Sequence, residues 1–261
     1  FEGYQKAINI TTRSFETRSI GEPRNERVIR GPKDAFNENI VTNLSLIRRR
    51  LIEPNLRVYK TSLGERTKTS VFILYIKDIA DPKIFKELLR RIQSVKIDAI
   101  LGSGVLEELI EDNIYSPFPQ LQYSERPDKA VAQLLDGRFV MLVDNTPFAL
   151  TIPAIFVNFM NSPEDYYEKW IMSSFIRIIR YIAVFLTMFL PAIYIALTTF
   201  HYNLIPGDLI KPVAEARARV PFTPFAEAII MELTIELLRE ASIRLPEPIG
   251  QTIGVVGGII I

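Results

Sequence analysis

Hydrophobic residues recur along this chain in three rhythms, and each rhythm predicts a different kind of element. Ile40, Leu44, Ile47 and Leu51 fall at helical spacing on one face. They predict a helix opened by Pro32, a residue pre-organised for a first turn, and ended near Ile52 by Pro54 and Asn55. A second rhythm begins with strand-like stretches over 57–62 and 70–76, joined by a turn at Gly64-Glu65-Arg66-Thr67. The run VFILYI at 71–76 is apolar nearly throughout, as in a strand covered on both faces. Helices and strands then alternate: a helix from Pro82 through Ile92, a short strand at 97–101, a helix at 104–111, a strand at 121–124, a helix at 127–135 and a strand at 139–143. A turn at Asp144-Asn145-Thr146 leads to a last strand near 148–152. The alternation predicts an α/β domain over 31–160, one mixed sheet with helices packed against it. Before it, a strand-like alternation at 4–10 is followed by a polar linker that reaches residue 30.

The third rhythm is a lack of any polar break. Residues 181–200, YIAVFLTMFLPAIYIALTTF, carry no charge and are long enough for a helix to cross a bilayer. The run lies well inside the chain, so it is not a cleaved signal peptide. It predicts a transmembrane helix over about 178–200 within an all-α membrane region, 161–261. Tyr166, Tyr167 and Trp170 precede it, an aromatic group suited to headgroup depth. Arg177 and Arg180 follow one turn apart, with stems long enough to snorkel. Trp170, Arg177 and Arg180 are therefore candidate membrane-interface residues. Lys169, Arg177 and Arg180 put cations before the span, with few after it, which places the α/β domain in the cytoplasm. Pro191 inside the span is tolerated in a bilayer.

Beyond the span, residues 204–220 are too polar to cross and read as a loop with at most one amphipathic helix. A helix over about 223–242 is apolar except for Glu232, Glu236 and Glu240 at successive i+4 steps, with Glu227 near the same stripe. Lying in the interface plane, such a helix turns its carboxylates to water. Inserted, it must turn them to a protein interior or an aqueous path, because carboxylates facing lipid are costly. Energetics favour the first arrangement, and the second makes the four glutamates a candidate ion path. Gly250, Gly254 and Gly258 lie at GxxxG spacing in the next apolar stretch, 249–261, as a helix-packing face or as a glycine-rich turn before the next span.

Composition narrows the chemistry. Among 261 residues the formal net charge is +1, so no basic field points to nucleic acid. The absence of cysteine excludes disulfides, thiol nucleophiles and Cys-based metal sites. The one histidine, His201, lies past the apolar run, out of reach of any serine–carboxylate pair in the domain. Gly102-Ser103-Gly104 lacks both the dinucleotide spacing and the P-loop lysine, and reads as a strand-to-helix turn before an anion seat. Glu107, Glu108, Glu111 and Asp112 read as a solvated helix face before a metal site. Arg48, Arg49 and Arg50 complement a helix C-terminus, with lipid phosphate or an acidic partner as the alternative. No catalytic residue, metal or cofactor is expected. The chain opens on Phe1 and stops at Ile261 within an apolar run, so it reads as a piece of a longer protein.

Six stretches, in order and over nearly the whole chain, resemble the A subunit of the GerA family of spore germinant receptors. They are VIRGP at 28–32, TNLSLIRRR at 42–50, RTKT at 66–69, SPEDYYE at 162–168, LPAIYIALT at 190–198 and RLPEPIGQTIG at 244–254. The resemblance implies that residues 1–30 end a preceding α/β subdomain and that further membrane helices follow. It implies a multi-pass protein of the spore inner membrane in endospore-forming bacteria, working with a transporter-like B subunit and a lipoprotein C subunit. A subunits of this family are expected to form an oligomeric ligand-gated channel that couples nutrient sensing to ion release, with recognition largely assigned to the B subunit. A membrane-anchored scaffold subunit, or a sporulation-stage paralogue with no nutrient response, is the alternative within the same resemblance.

Overall fold

Strict alternation along one central strand builds two cores at once. In β2 (Thr69–Ile76), Phe72, Leu74 and Ile76 join one buried cluster while Val71 and Ile73 join another. Its neighbour β4 (Phe139–Val143) repeats the division, with Val140 and Leu142 on the first side and Phe139, Met141 and Val143 on the second. A strand buried on both faces needs a layer of helices on each. On the first side lie α1 (Ile40–Arg50) and α4 (Pro127–Leu135), through Ile40, Leu44, Ile47, Ala130 and Leu134. On the second lie α2 (Pro82–Ser94) and α3 (Ser103–Ile110), through Leu88, Ile92, Leu106 and Ile110. The result is a three-layer α/β/α sandwich.

The computed structural model describes residues 19–201, 204, 207–217 and 221–244. The chain divides into two compact units at Arg177/Ile178. In the first, β1 (Leu56–Leu63), β3 (Gln122–Ser124) and β5 (Ala149–Ile152) complete a sheet of order β1-β2-β4-β5-β3. The expected sheet and helices are present, but the sheet foreseen as mixed is antiparallel in all four pairings among the described residues. The reason lies at residues 97–101, foreseen as a strand. That segment instead serves the β1–β2 hairpin turn: Glu65 N donates to Ile97 O at 3.0 Å, Arg66 N to Asp98 O at 2.9 Å and Thr69 Oγ1 to Ile100 O at 2.7 Å. With no parallel strand inserted, β4 pairs directly beside β2.

The first helix also begins later than its proline suggested. Residues 32–39 carry no regular structure, and α1 starts at Ile40 under an Asn39 cap whose side chain accepts from Val41 N at 2.9 Å and Thr42 N at 3.2 Å. Asn43 locks the approach: its Oδ1 accepts from Asn37 N at 2.9 Å and its Nδ2 donates to Asn37 O at 2.6 Å. A polar residue at the cap satisfies the free N–H groups of a first turn, which Pro32 does not do here. At the other end, Arg49 and Arg50 close on Asp34. Burial alone would raise the Asp34 carboxyl, but the hydrogen bond and charge of Arg50, helped by Arg49, hold it below its ordinary range.

A short helix α5 (Phe156–Met160) and a 3-10 turn (Pro163–Tyr166) lead to α6 (Trp170–Thr199), whose residues to Arg177 belong to the first unit. α6 has 30 residues, a span of about 45 Å at 1.5 Å per residue. Among the described residues it is the one helix long and apolar enough to cross a membrane, and only 6% of its most apolar window is buried. Phe185, Met188 and Leu190 are exposed to at least half of their surface. Such an uncovered apolar surface is not that of a core helix. The second unit also holds α7 (Gly207–Arg217), in the stretch expected to hold at most one helix, and α8 (Pro224–Arg244).

Candidate functional site

Arg126 is a charged side chain with no solvent exposure at all. Its backbone is extended, as a residue before proline must be, and it occupies the N-cap position of α4. From there the guanidinium turns inward. Nε and Nη2 donate to Oδ1 and Oδ2 of Asp128 at 3.1 and 2.8 Å, and Nη1 donates to Glu26 O at 3.3 Å. Asp128 lies in the first turn of α4, where the helix dipole favours a carboxylate.

Two distant segments close on this pair. From the linker, the Glu26 carboxylate accepts from Ser124 Oγ, from Glu125 N at 3.0 Å and from Lys129 Nζ at 2.7 Å. Glu125 returns the contact, accepting from Arg24 N and Asn25 Nδ2, each at 2.7 Å. From the segment that leads into α6, the Tyr167 hydroxyl donates to Asp128 Oδ2. The Tyr167 ring lies against Gly31, whose φ of +128° suits glycine and where a Cβ would stand 2.9 Å from the ring. Ile29 N donates to Glu164 Oε1 at 2.9 Å. Residues 24–31, 124–129 and 162–168 thus meet in one polar junction. Asp128 accepts from both Arg126 and Tyr167, and Glu26 from Ser124, Glu125 and Lys129, so neighbouring hydrogen bonds there share acceptors.

Next to it, Asp165 is buried and accepts from Ser162 N at 3.0 Å and from Arg177 Nε at 3.3 Å. The Arg177 guanidinium lies 5.5 Å from the centre of the Tyr166 ring. Burial first, then the hydrogen bond and charge of Asp128, push the Tyr167 hydroxyl up to about 12. Between about pH 10 and 12 the folded state keeps this proton while the unfolded chain releases it, so stability falls as pH rises through that window. Replacing Tyr167 by Phe is expected to flatten that part of the pH–stability curve, followed by circular dichroism. At neutral pH it should cost about 1.5 kcal/mol, the value of a hydrogen bond to a charged group.

The residues foreseen from sequence fall out as follows. Tyr167, foreseen at headgroup depth, packs on the α/β domain through the bond from its hydroxyl to Asp128. Trp170 opens α6 and is 77% exposed. Arg177 has the protein partners just described, and Arg180 follows one turn later on the same helix. Glu232, Glu236 and Glu240 share one side of α8, and Glu236 pairs with Arg239 at 3.0 Å. Glu227, foreseen near that stripe, is five residues from Glu232 and so about 140° round the helix. Ile230, Met231, Leu233, Ile235 and Leu237, all exposed, occupy much of the remaining circumference. Gly250, Gly254 and Gly258 lie outside the described residues. At Gly102-Ser103-Gly104 the turn is plain: Ser103 N donates to Thr146 Oγ1 at 3.2 Å. Among the described residues no group of three or more His, Asp or Glu side chains could hold a metal. Sequence reasoning missed Glu26, Arg126 and Asp128; only the proline after Arg126 hinted at its special backbone.

An α/β domain, its linker and pre-helix segment closed on one buried ion pair, carried on an exposed apolar helix of bilayer-crossing length, defines a membrane-associated protein. This chain belongs to the Bacillus/Clostridium GerA spore germination protein family, whose model matches residues 1–261. It is 49% identical to spore germination protein A1 of Bacillus subtilis (strain 168) over 259 residues, 99% of this chain and 54% of that protein. It is 47% identical to spore germination protein B1 of the same organism over 260 residues, 100% of this chain and 54% of that protein. It also matches the crystal structure of the N-terminal domain of the A subunit of the Bacillus megaterium spore germinant receptor GerK3. There the identity is 45% and the TM-score 0.39, covering 47% of this chain and 97% of that one. The chain spans about half the length of the curated relatives it matches.

Proposed function

We propose that this chain is part of the A subunit of a spore germinant receptor and couples nutrient sensing to ion release across the spore inner membrane. The observation that carries the reading is the junction at Arg126, which fixes the segment entering α6 to the α/β domain. A displacement within the domain then reaches the helix through paired charges instead of a slack linker. Family membership and 49% identity to spore germination protein A1 support the receptor assignment. In this reading residues 31–160 form the cytosolic subdomain on the spore-core side, and 161–261 begin a multi-pass membrane domain. B and C subunits are the partners, and A subunits assemble into an oligomeric channel.

The glutamate stripe of α8 is the proposed ion path. Its narrow polar side, with exposed apolar residues round much of the rest, suits a helix that turns carboxylates toward an aqueous path and the remainder toward lipid or protein. Spores in which the full protein carries Glu232→Gln and Glu236→Gln should assemble the receptor normally but release ions about tenfold more slowly, the effect of ~1.4 kcal/mol on a barrier. Release at the wild-type rate would remove both residues from the path.

A further inference from the structure

A surface helix turns its apolar stripe to the core, and α5 does the reverse. Its buried residue is Asn158, at 7% exposure, while Ile155 before it and Phe156, Val157 and Phe159 within it are exposed, Phe156 to 58%. The loop between α3 and β3 shows the same inversion: Ile114 and Phe118 are exposed, and Tyr115 is 95% exposed. Its own hydrogen bonds hold it so, Tyr115 N donating to Asn113 Oδ1 and Ser116 N to Asn113 O, each at 3.0 Å. The two segments run side by side. Ala154 N donates to Gln120 O at 3.1 Å, and Gln122 Nε2 to Asn158 O at 3.1 Å. Neither carries a charge, since residues 113–124 and 145–162 contain no Asp, Glu, Lys, Arg or His. Exposed apolar residues gathered in this way mark a surface that meets lipid or another protein.

Chain continuity favours lipid. Asp165 accepts from Arg177 Nε at 3.3 Å, which holds the turn before α6 beside Arg177. Arg177 is four residues, about 6 Å along the helix axis, from the uncharged run that opens at Tyr181. α5 ends five residues before Asp165, at most ~18 Å of extended chain. The headgroup layer itself adds about 5–8 Å outside the hydrocarbon. α5 is therefore tethered beside the bilayer surface if α6 spans it, and uncharged aromatic and aliphatic side chains suit that depth. We propose that α5 and the 113–119 loop together rest on the lipid surface, their apolar side chains in the headgroup and upper acyl region. The proposal rests on the reading of α6 as a helix in lipid and adds to it a second contact, made by the α/β domain itself.

The test uses the full chain reconstituted in phosphatidylcholine–phosphatidylglycerol vesicles, with Trp170→Phe removing the native fluorophore. Tyr115→Trp and Phe156→Trp, made singly, put a probe on each segment at an exposed position, so neither disturbs a core. Both probes are expected to lose emission to lipids brominated near the headgroup end of the acyl chain, and to lose less to lipids brominated deep in it. Both should be shielded from aqueous acrylamide present on both sides of the membrane. Acrylamide quenching at either position without bromine quenching would show a face in water. Shielding from both quenchers would show a face covered by protein, a partner or a second copy of the chain. Either result overturns the proposal. Phe189→Trp on α6 separates the two readings: with deep-bromine quenching there, α6 stays in lipid and the surface contact alone fails, whereas its loss removes the membrane reading as well.

Discussion

Replacing Arg126 by Met is expected to lower the stability of the α/β domain by about 3–5 kcal/mol, the range found when one partner of a buried pair is removed. The side chain is fully buried and makes three hydrogen bonds, two of them to one carboxylate. Without it, Asp128 is left at 12% side-chain exposure with its charge opposed mainly by the helix dipole and the Tyr167 hydroxyl. At about 2–4 °C per kcal/mol for a domain of this size, the melting temperature should fall by about 6–20 °C. Adding Asp128→Asn should restore a large part of the loss, because the stranded charge goes with its partner. Thermal unfolding of the two variants measures both effects. A loss below about 1 kcal/mol, the worth of a solvated surface pair, would mean that the junction is not a buried network.

The second large effect concerns α6. An arginine at the centre of a membrane-spanning helix costs about 2.5–3.5 kcal/mol on insertion scales. Leu186 lies near the middle of the apolar run, 47% exposed, with Phe185, Phe189 and Leu190 around it. Leu186→Arg should therefore reduce the inserted fraction by roughly two orders of magnitude in a helix otherwise balanced at the bilayer. The same substitution on a solvated surface helix should change little. Pro191 is the natural weak point of this span, since it leaves the Thr187 carbonyl without its helical donor.

Much of the fold could be read directly from residue order. The limits of α4 and β4 follow from Pro127 and from the apolar run FVMLV, and β2 is recognisable because a strand buried on both faces has no polar alternate positions. Element type failed where an apolar stretch had a local use other than the sheet. Residues 97–101 carry Ile97, Ala99 and Leu101 at alternate positions, as a strand would, yet the Ile97 carbonyl is taken by the hairpin turn and the Ile100 carbonyl by Thr69. Pro32 looked like a helix start, while the true start is set by Asn39, a better cap nearer the first periodic residue. The junction was legible only in part. The proline after Arg126 marked the start of α4, but Glu26 meets Lys129 and Arg126 across about a hundred residues of sequence. No local pattern encodes such a pairing. Tyr167 shows the same limit: an aromatic beside a membrane run suits headgroup depth, and only the position of Asp128 reveals the partner of its hydroxyl.

The central claim is that α6 lies in lipid and carries the α/β domain on it. The chain has a single tryptophan, Trp170, so depth is open to direct measurement by fluorescence quenching with lipids brominated along the acyl chain. In a Trp170→Phe background, Phe189→Trp puts the fluorophore near the middle of the apolar run, about 28 Å along the helix axis from position 170. The account predicts strong quenching at position 189 by bromine deep in the acyl region, lost when Leu186→Arg is added, and weak quenching of the native Trp170. Weak quenching at position 189 by every brominated lipid would contradict it.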